Sequence, residues 1–180
     1  MRWRGQLTDD RALWDLICRR DASAFDAFYQ ENAPRLRAFL RHVVGSRQVA
    51  EDIAQETFTC IWDRPHGFQP DRGSLRAYLY GIGRKRAAEW WRSQRPPEAI
   101  ADINTAVCQA QILSIRDAFG QLPQEQRTLL WLREVDGQSY AELAAILEIP
   151  VGTVRSRLFA AREQLRKLWN SRRQGQKEGA

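Results

Sequence analysis

The amino-acid sequence predicts an all-α fold of two small helical domains joined by a flexible linker, the C-terminal one a helix-turn-helix. Apolar residues recur at helical spacing through most of the 180 residues, and alternating strand patterns are almost absent. Near the middle, a proline pair opens a stretch without basic residues, which is typical of a linker. Towards the C-terminal end, a capped helix is followed by a short turn and a basic amphipathic helix.

The first two predicted helices carry ordinary start and stop signals. Thr8-Asp9-Asp10 can cap a short helix whose apolar side holds Leu13, Leu16 and Ile17. Asp21 or Ser23 can start a longer helix, which Gly45-Ser46 ends. Pro34 lies inside this longer run, so we expect the helix to bend or split there.

A third predicted helix, residues 47–64, has an acidic face. Within residues 48–63 four side chains are acidic and none is basic. The residues of this face are related in pairs by a spacing of four, which places them on one side: Glu51, Asp52, Gln55 and Glu56. Such a face repels DNA, so it meets either another partner or only solvent. A metal site built on these carboxylates lacks a histidine at ligand spacing.

The next segment is basic and aromatic. Residues 65–73 form a loop with two prolines and two glycines, and Ser74 can cap the helix that follows, to about Arg95. Residues 73–95 hold six basic side chains against the single acidic Glu89. Tyr78, Tyr80 and Trp91 are interleaved with these charges, a pattern suited to stacking unpaired bases. The alternative is that the aromatic rings are core, as we expect for Trp90, and the charges are solvated.

A composition shift separates the two halves of the chain. Pro96-Pro97 breaks the basic helix, and residues 96–111 carry two acidic side chains and no basic one. A second helical block begins near Ile112. The predicted domains are therefore residues 1–95 and 112–170, with the linker at 96–111 and a disordered tail at 171–180.

The helix-turn-helix is the most informative stretch. Ser139 and Glu142 form a capping box, and Pro150 suits the first turn of the second helix. The second helix has one apolar stripe at Val151, Val154, Leu158, Ala161, Leu165 and Leu168. The opposite face holds Gly152, Thr153, Arg155, Ser156, Phe159 and Ala160, with Arg157 and Arg162 on its flanks. These side chains suit a DNA major groove and its phosphates. The alternative is a solvated basic helix with Phe159 packed on a neighbour.

The composition limits the remaining function classes. A net charge of +6 favours a polyanionic partner. The three cysteines are far apart, which predicts free thiols and neither a zinc site nor a disulfide framework. No signal peptide or long apolar run is present, so we expect a cytoplasmic protein without stable membrane insertion. His42 and His66 lack catalytic partners in the sequence, and we expect no cofactor and no enzymatic activity.

The order of these segments resembles the extracytoplasmic-function (ECF) sigma factors of bacterial RNA polymerase, over residues 21–169. Three blocks carry the resemblance: Val49 to Phe58 with Trp62, Ser74 to Arg84, and Leu122-Pro123 through Val151 to Arg157. The second block departs from the family pattern, with Tyr78 in place of Trp, Gly83 in place of Ala and Lys85 in place of Asn. Gly83 is expected to loosen the helix by roughly 0.5–1 kcal/mol relative to Ala.

The resemblance implies roles for each surface. The acidic face would dock on the clamp coiled coil of the polymerase's largest subunit, and the C-terminal domain on the flap of the second-largest subunit. The loop and basic helix would melt and read the −10 element, through Phe68, Arg72, Ser74, Arg76, Tyr78, Tyr80, Arg84, Lys85, Trp91 and Arg92. The helix-turn-helix would read the −35 element through Thr153, Arg155, Ser156, Arg157, Phe159 and Arg162.

The resemblance further implies core RNA polymerase and promoter DNA, both duplex and single-stranded, as partners. It also implies an anti-sigma factor and a role in a stress or envelope response. Two other hypotheses remain open. One is a stand-alone transcriptional regulator whose N-terminal helices sense a signal or dimerise, and the remoter one is a nucleic-acid-processing enzyme. The acidic face discriminates, because a repressor that acts alone has no need of a polymerase-docking surface.

Overall fold

The structure is a computed structural model, and it describes residues 10–65, 67–94 and 115–175. These residues fold into an assembly of helices. The helices of these residues are α1 (Asp10–Cys18), α2 (Ala22–Val44), α3 (Arg47–Asp63), α4 (Leu75–Ser93), α5 (Ile115–Gly120), α6 (Gln124–Leu130), α7 (Tyr140–Leu147) and α8 (Val151–Gly175). The described ranges contain no β-strand, which confirms the all-α prediction. The predicted linker and His66 lie outside the described residues.

Helices α2, α3 and α4 pack together as the N-terminal domain, with α1 against α2. Phe58 of α3 is 3% exposed and lies among three aromatic rings. Its ring centroid is 4.7 Å from that of Tyr29, 6.0 Å from Phe28 and 6.4 Å from Phe25, each at an edge-to-face angle. Such pairs stabilise a core beyond the area they bury. The acidic face of α3 is thus carried on a helix whose other side is anchored in the core.

Helix α2 shows how the predicted signals act in the folded chain. Asp21 caps its start by accepting a hydrogen bond from the backbone N–H of Ala24. Gly45 ends it in the left-handed region at φ 75°, with its N–H donating to the carbonyl of Arg41. Pro34 does not split the helix, which runs unbroken for 23 residues. The expected split is therefore wrong, because packing on both neighbouring helices holds α2 together, and the expected bend stays a prediction.

Helix α1 contributes more than the sequence indicated. Its buried residues are Trp14 and Ile17, whereas Leu16 is exposed. At its start, the carboxylate of Asp10 accepts a 2.8 Å hydrogen bond from the backbone N–H of Leu75. An acidic side chain at the N-terminus of α4 satisfies a free donor and complements the helix dipole. Helix α1 therefore fixes the start of the basic helix.

Gly83 has a packing role in α4. A Cβ atom at this position would lie 3.2 Å from Cδ1 of Leu36 and 3.6 Å from Cδ2 of Leu40. Glycine thus lets α4 approach α2 more closely than alanine would. The intrinsic loss of helix propensity is offset by this close approach.

Helices α5 to α8 form the C-terminal domain. The capping box is confirmed: the backbone N–H of Glu142 donates to the Ser139 hydroxyl, and the N–H of Ser139 donates to the Glu142 carboxylate. The buried stripe of α8 includes Val154, Leu158 and Ala161, as expected. Helix α8 continues to Gly175, five residues beyond the predicted end at Asn170, so the predicted tail begins too early.

The two domains touch along α4 and α7, and α2 also contacts α6. The ring of His42 stacks on Trp131 at 5.9 Å between centroids and lies 5.5 Å from Phe119. The side-chain amide of Gln124 donates to the carbonyl of Val43 over 3.1 Å. The helix-turn-helix is therefore packed on the N-terminal domain.

The stability of this packing is expected to fall as the pH falls below about 6.5. Burial lowers the pKa of His42, and the nearby charge of Arg127 lowers it further. A histidine with a lowered pKa in the folded state favours the neutral ring, so stability is lost as the pH falls from the ordinary pKa of an unfolded histidine towards the lower folded pKa. Urea unfolding between about pH 7.5 and 5.5 should show this slope, and His42→Gln should flatten it. An equal slope in the variant would exclude His42 as the source.

Candidate functional site

The outward face of α8 is the most exposed candidate surface. Phe159 is 69% exposed, so the alternative in which it packs on a neighbour is not observed. Arg155 and Ser156 are exposed beside it, and Thr153 is half-buried. The guanidinium carbon of Arg155 lies 5.9 Å from the centroid of the Tyr140 ring, which is within the range of a cation–π contact. We call Thr153, Arg155, Ser156 and Phe159 the reading face.

The two flanking arginines of α8 are both paired within the C-terminal domain. Arg162 donates to Glu134 through Nε at 3.2 Å and a terminal nitrogen at 2.6 Å. These bonds raise the pKa of Arg162. Arg157 lies 3.8 Å from the carboxylate of Glu125, and both side chains are more than half exposed. A phosphate could replace either carboxylate at modest cost, because exposed ion pairs contribute little.

The residues predicted to meet unpaired DNA divide into exposed and buried sets. Arg72, Lys85 and Arg92 are exposed, and the half-buried members are Ser74, Arg76, Tyr78, Arg84 and Trp91. Phe68 and Tyr80 are 7% and 0% exposed. Both rings are core residues in this structure, and their contact with DNA stays a prediction.

The burial of these rings has a specific cause. Phe68 and Tyr78 pack against Trp14 of α1, with centroids 5.4 and 5.9 Å from the Trp14 ring. Tyr80 packs on Phe39 at 5.1 Å. Burial raises the pKa of the Tyr78 hydroxyl, as it does for Tyr80. The sequence analysis missed Trp14. The signal that could have identified it as a core residue is its position three residues before Ile17, on the same side of the helix.

Three cationic residues of α4 and its capping serine lie on the surface towards the C-terminal domain. We call Ser74, Arg76, Arg84 and Lys85 the basic surface. Each of these side chains contacts the helix-turn-helix: Ser74 and Arg76 meet Glu142, Arg84 meets the carbonyl of Ile146, and Lys85 meets Glu148. The indole N–H of Trp91 donates to the carbonyl of Val43 at 3.4 Å, which holds that ring against α2.

The acidic face lies where the sequence placed it, on the outside of α3. Asp52, Gln55 and Glu56 are exposed, and Glu51 is half-buried. A shallow cleft of about 590 Å³ runs along the first three and continues to Asp63 and Arg64. Residues 48–63 contain no basic side chain, but neighbouring helices supply two. Arg37 pairs with Glu51 and Arg86 with Glu56, each at 2.7 Å.

These pairs leave the face polar and partly neutralised. The carboxylate of Asp52 accepts a hydrogen bond from the Gln48 amide at 3.1 Å. No group of three or more metal-ligating side chains occurs within the described part of the chain. None of the described helices is both long and apolar enough to cross a membrane. The arrangement suits a docking surface that recognises basic groups.

Comparison with known proteins gives two family matches and a set of full-length relatives. Residues 28–96 match the family model described as Sigma-70 region 2, and residues 112–165 match Sigma-70, region 4. The ECF RNA polymerase sigma factor RpoE of Cereibacter sphaeroides is 30% identical over 173 residues, which covers 87% of this chain and 95% of the relative. The RNA polymerase sigma-H factor of Pseudomonas aeruginosa is 31% identical over 179 residues, covering 88% and 92%.

Solved structures give the same fold. CnrH in complex with the cytosolic domain of CnrY superposes with a TM-score of 0.69 at 24% identity, over 91% of this chain and 98% of the other. The sigma factor RpoE in complex with the anti-sigma factor NepR, from Bartonella quintana, gives a TM-score of 0.62 at 26% identity, over 81% and 96%. The two-domain helical architecture is therefore common to this chain and these proteins.

Proposed function

This chain belongs to the ECF sigma factors of bacterial RNA polymerase, and we propose that it divides promoter selection between its two domains. As an RNA polymerase sigma factor, it binds core polymerase and directs promoter-specific transcription initiation. In the proposal, residues 1–95 dock on the polymerase and open the −10 element, and residues 112–170 read the −35 element. The observation that carries this division is the presence of two surfaces of opposite charge on separate domains, the acidic face and the reading face.

The acidic face is proposed to bind the clamp coiled coil of the largest subunit. Its members are Glu51, Asp52, Gln55 and Glu56. The cleft along α3 supports this role, because it presents carboxylates over a rigid aromatic core. Catalysis then belongs to the polymerase, and this chain acts in the cytoplasm as a specificity subunit without enzymatic activity. A contact of the C-terminal domain with the flap of the second-largest subunit completes the docking.

The −10 element is proposed to meet the cationic side chains of α4 and its preceding loop. The candidates that lie outside the core are Arg72, Ser74, Arg76, Arg84, Lys85, Trp91 and Arg92, together with the half-buried Tyr78. Their mixture of cations and aromatic edges suits a separated strand, for which backbone charge and base stacking both contribute. Phe68 and Tyr80 are left out of this set because they are buried.

The −35 element is proposed to meet the reading face, with phosphate contacts from Arg157 and Arg162. Arginine can donate two hydrogen bonds to a guanine edge, and an exposed phenylalanine can contact a thymine methyl. The exposure of Phe159 supports this proposal, since an isolated apolar ring in water brings no benefit to folding.

Replacing Arg155 by alanine is expected to cost about 1–3 kcal/mol of promoter discrimination. The loss arises because Arg155 would be bonded to a base edge, whereas the phosphate contacts remain. Holoenzyme binding to labelled promoter duplexes, with intact and scrambled −35 elements, measures the difference. Arg157→Ala is the matched control: it should weaken binding to both duplexes alike and reduce the salt dependence. Equal losses on both duplexes for Arg155→Ala would contradict a base-reading role.

The decisive experiment for the function is run-off transcription with purified core polymerase. A promoter-dependent transcript that requires this chain is the expected result. Binding of duplex DNA with repression, and no transcript with core polymerase, would instead support the stand-alone regulator.

A partner that holds the chain inactive is also proposed, since RpoE of Bartonella quintana is found in complex with an anti-sigma factor. The regulated response is proposed to be one to stress.

A further inference from the structure

Helix α1 holds the chain that connects α3 to α4 at both of its ends and in its middle. We call this chain, described at residues 64–65 and 67–74, the connection. Along α1, Asp10, Trp14 and Cys18 are each four residues apart, so their side chains lie on one side of the helix. Each of the three contacts a different part of the connection or the helix end beside it.

The first attachment lies where α3 ends. The Cys18 thiol donates a hydrogen bond to the carbonyl of Pro65 over 3.0 Å. In the turn after α1, the Arg20 guanidinium donates to the backbone carbonyls of Trp62 and Asp63, the latter over 3.1 Å. The last carbonyls of a helix lack partners within it, so a guanidinium there satisfies acceptors and complements the helix dipole. These bonds fix the direction in which the chain leaves α3.

Arg20 takes a backbone conformation that few side chains adopt. Its φ is 63°, in the left-handed region where glycine or asparagine is the usual residue after a helix. Its guanidinium carbon also lies 5.4 Å from the centroid of the Trp62 ring, within the range of a cation–π contact. A cationic side chain at this position therefore makes contacts that glycine could not make.

The second attachment is the buried ring of Trp14, which contacts the middle of the connection. Its centroid is 5.4 Å from that of Phe68 and 5.9 Å from that of Tyr78, and the last two are 5.8 Å apart. A Cβ atom on Gly67 would collide with the Tyr78 hydroxyl, so the connection passes too close to this ring for a larger residue. Three mutually packed rings thus hold the connection against α4.

The third attachment lies at the end of the connection. The Asp10 carboxylate accepts a 2.8 Å hydrogen bond from the backbone N–H of Leu75, the first residue of α4. Asp10 and Cys18 are eight residues apart, which corresponds to roughly 12 Å along a helix. The start and the end of the connection therefore contact one rigid helix at well-separated points.

We infer that α1 is a positioning element for recognition of the −10 element, through Trp14 and Asp10. It holds the connection in the conformation that presents Arg72 and Arg76 to that element. The inference rests on the proposed role of these two cations. A fixed connection loses less conformational entropy when DNA binds, so α1 acts on selectivity without touching a base. The match to Sigma-70 region 2 begins at residue 28, and α1 lies outside it.

Trp14→Ala removes the central ring, and we expect it to lower discrimination among −10 sequences at least about fivefold. Holoenzyme is incubated with a pool of promoter duplexes randomised at the −10 element, and the retained duplexes are sequenced. Trp14→Phe keeps an aromatic ring against Phe68 and should stay within about twofold of the wild type. Leu16→Ala, at an exposed position of the same helix, is the matched control and should also stay within about twofold.

Two further measurements separate positioning from a general loss of folded protein. Core-polymerase binding and discrimination of the −35 element by Trp14→Ala should both stay within about twofold of the wild type. Both depend on surfaces that the connection does not form. Equal losses of −10 and −35 discrimination would overturn the positioning role.

Asp10→Ala removes one hydrogen bond and leaves the ring cluster in place, so it tests the inference independently of the folding of Trp14→Ala. Hydrogen exchange of the full-length protein, followed by NMR, should show the Leu75 amide exchanging at least about tenfold faster in this variant. Asp10→Asn keeps an acceptor oxygen and should recover most of the protection. Discrimination among −10 sequences should fall in Asp10→Ala and recover in Asp10→Asn.

The outcomes distinguish the inference from the proposed function. An unchanged −10 preference in Trp14→Ala or in Asp10→Ala, each in its folded state, overturns the positioning role, as does an unchanged exchange rate at Leu75. A wild type that still selects a −10 sequence in the same experiment leaves the proposed function standing. A wild type that selects no −10 sequence overturns the proposed function, and the inference with it.

Discussion

Replacing both Asp52 and Glu56 by lysine is expected to raise the Kd for core polymerase by at least about 100-fold. Both carboxylates are exposed on α3, so the change reverses the charge of the proposed docking surface without opening the core. Like charges brought together across an interface cost several kcal/mol. Lysine at position 56 also faces Arg86, which now pairs with Glu56 at 2.7 Å, and this adds local repulsion.

Fluorescence-detected titration of labelled protein with core polymerase measures this effect. Asp26→Lys with Glu31→Lys makes the same change of charge on exposed positions of α2 and serves as the control. The control should bind within about threefold of the wild type. Unfolding curves of both variants should overlap the wild type within about 0.5 kcal/mol. Equal losses of affinity in the two variants would mean that only net charge matters, and the acidic face would lose its assigned role.

Phe58→Ala is expected to destabilise the N-terminal domain by about 3–5 kcal/mol. The side chain is 3% exposed and lies between the rings of Phe25, Phe28 and Tyr29. Alanine removes the ring's buried area and leaves a cavity that neighbouring aromatic rings fill poorly. A loss of this size is a large share of the stability of an ordinary domain.

Urea unfolding followed by circular dichroism measures the loss. Thr59→Ala, at the next and exposed position of α3, should change stability by less than about 0.5 kcal/mol. A cost below about 1 kcal/mol for Phe58→Ala would show that the ring cluster is not the anchor of α3. Weak polymerase binding by Phe58→Ala at temperatures where it is unfolded is expected and carries no information about docking.

Local signals predicted the helix-turn-helix well. The capping box, the buried stripe of α8 and the outward Phe159 all depend on residues within a few turns of one another. The helical period is sufficient for these features, because one side of α8 packs and the other is free. The ion pairs of the acidic face with Arg37 and Arg86 were not predicted, since they join α3 to other helices.

The basic helix was harder to read for a physical reason. Helix α4 packs on α2 and α3 on one side and on α7 on another, so its rings and charges do not divide simply into a buried and an exposed face. Tyr80 and Phe68 are aromatic residues of the kind that stacks on bases, yet both lie in the core. The contacts between α4 and α7 join residues more than 60 positions apart, and no local pattern encodes them.

Glu142 makes two different contacts with one carboxylate, and this affects what a substitution there can do. One oxygen closes the capping box on the N–H of Ser139, while the other accepts from Ser74 of the opposite domain. Most substitutions there would weaken the helix-turn-helix while releasing the interdomain contact. Glu148 carries no such double duty, and glycine suits its backbone. A change at Glu148 should therefore remove an interdomain contact without unfolding the helix-turn-helix, whereas a change at Glu142 does both.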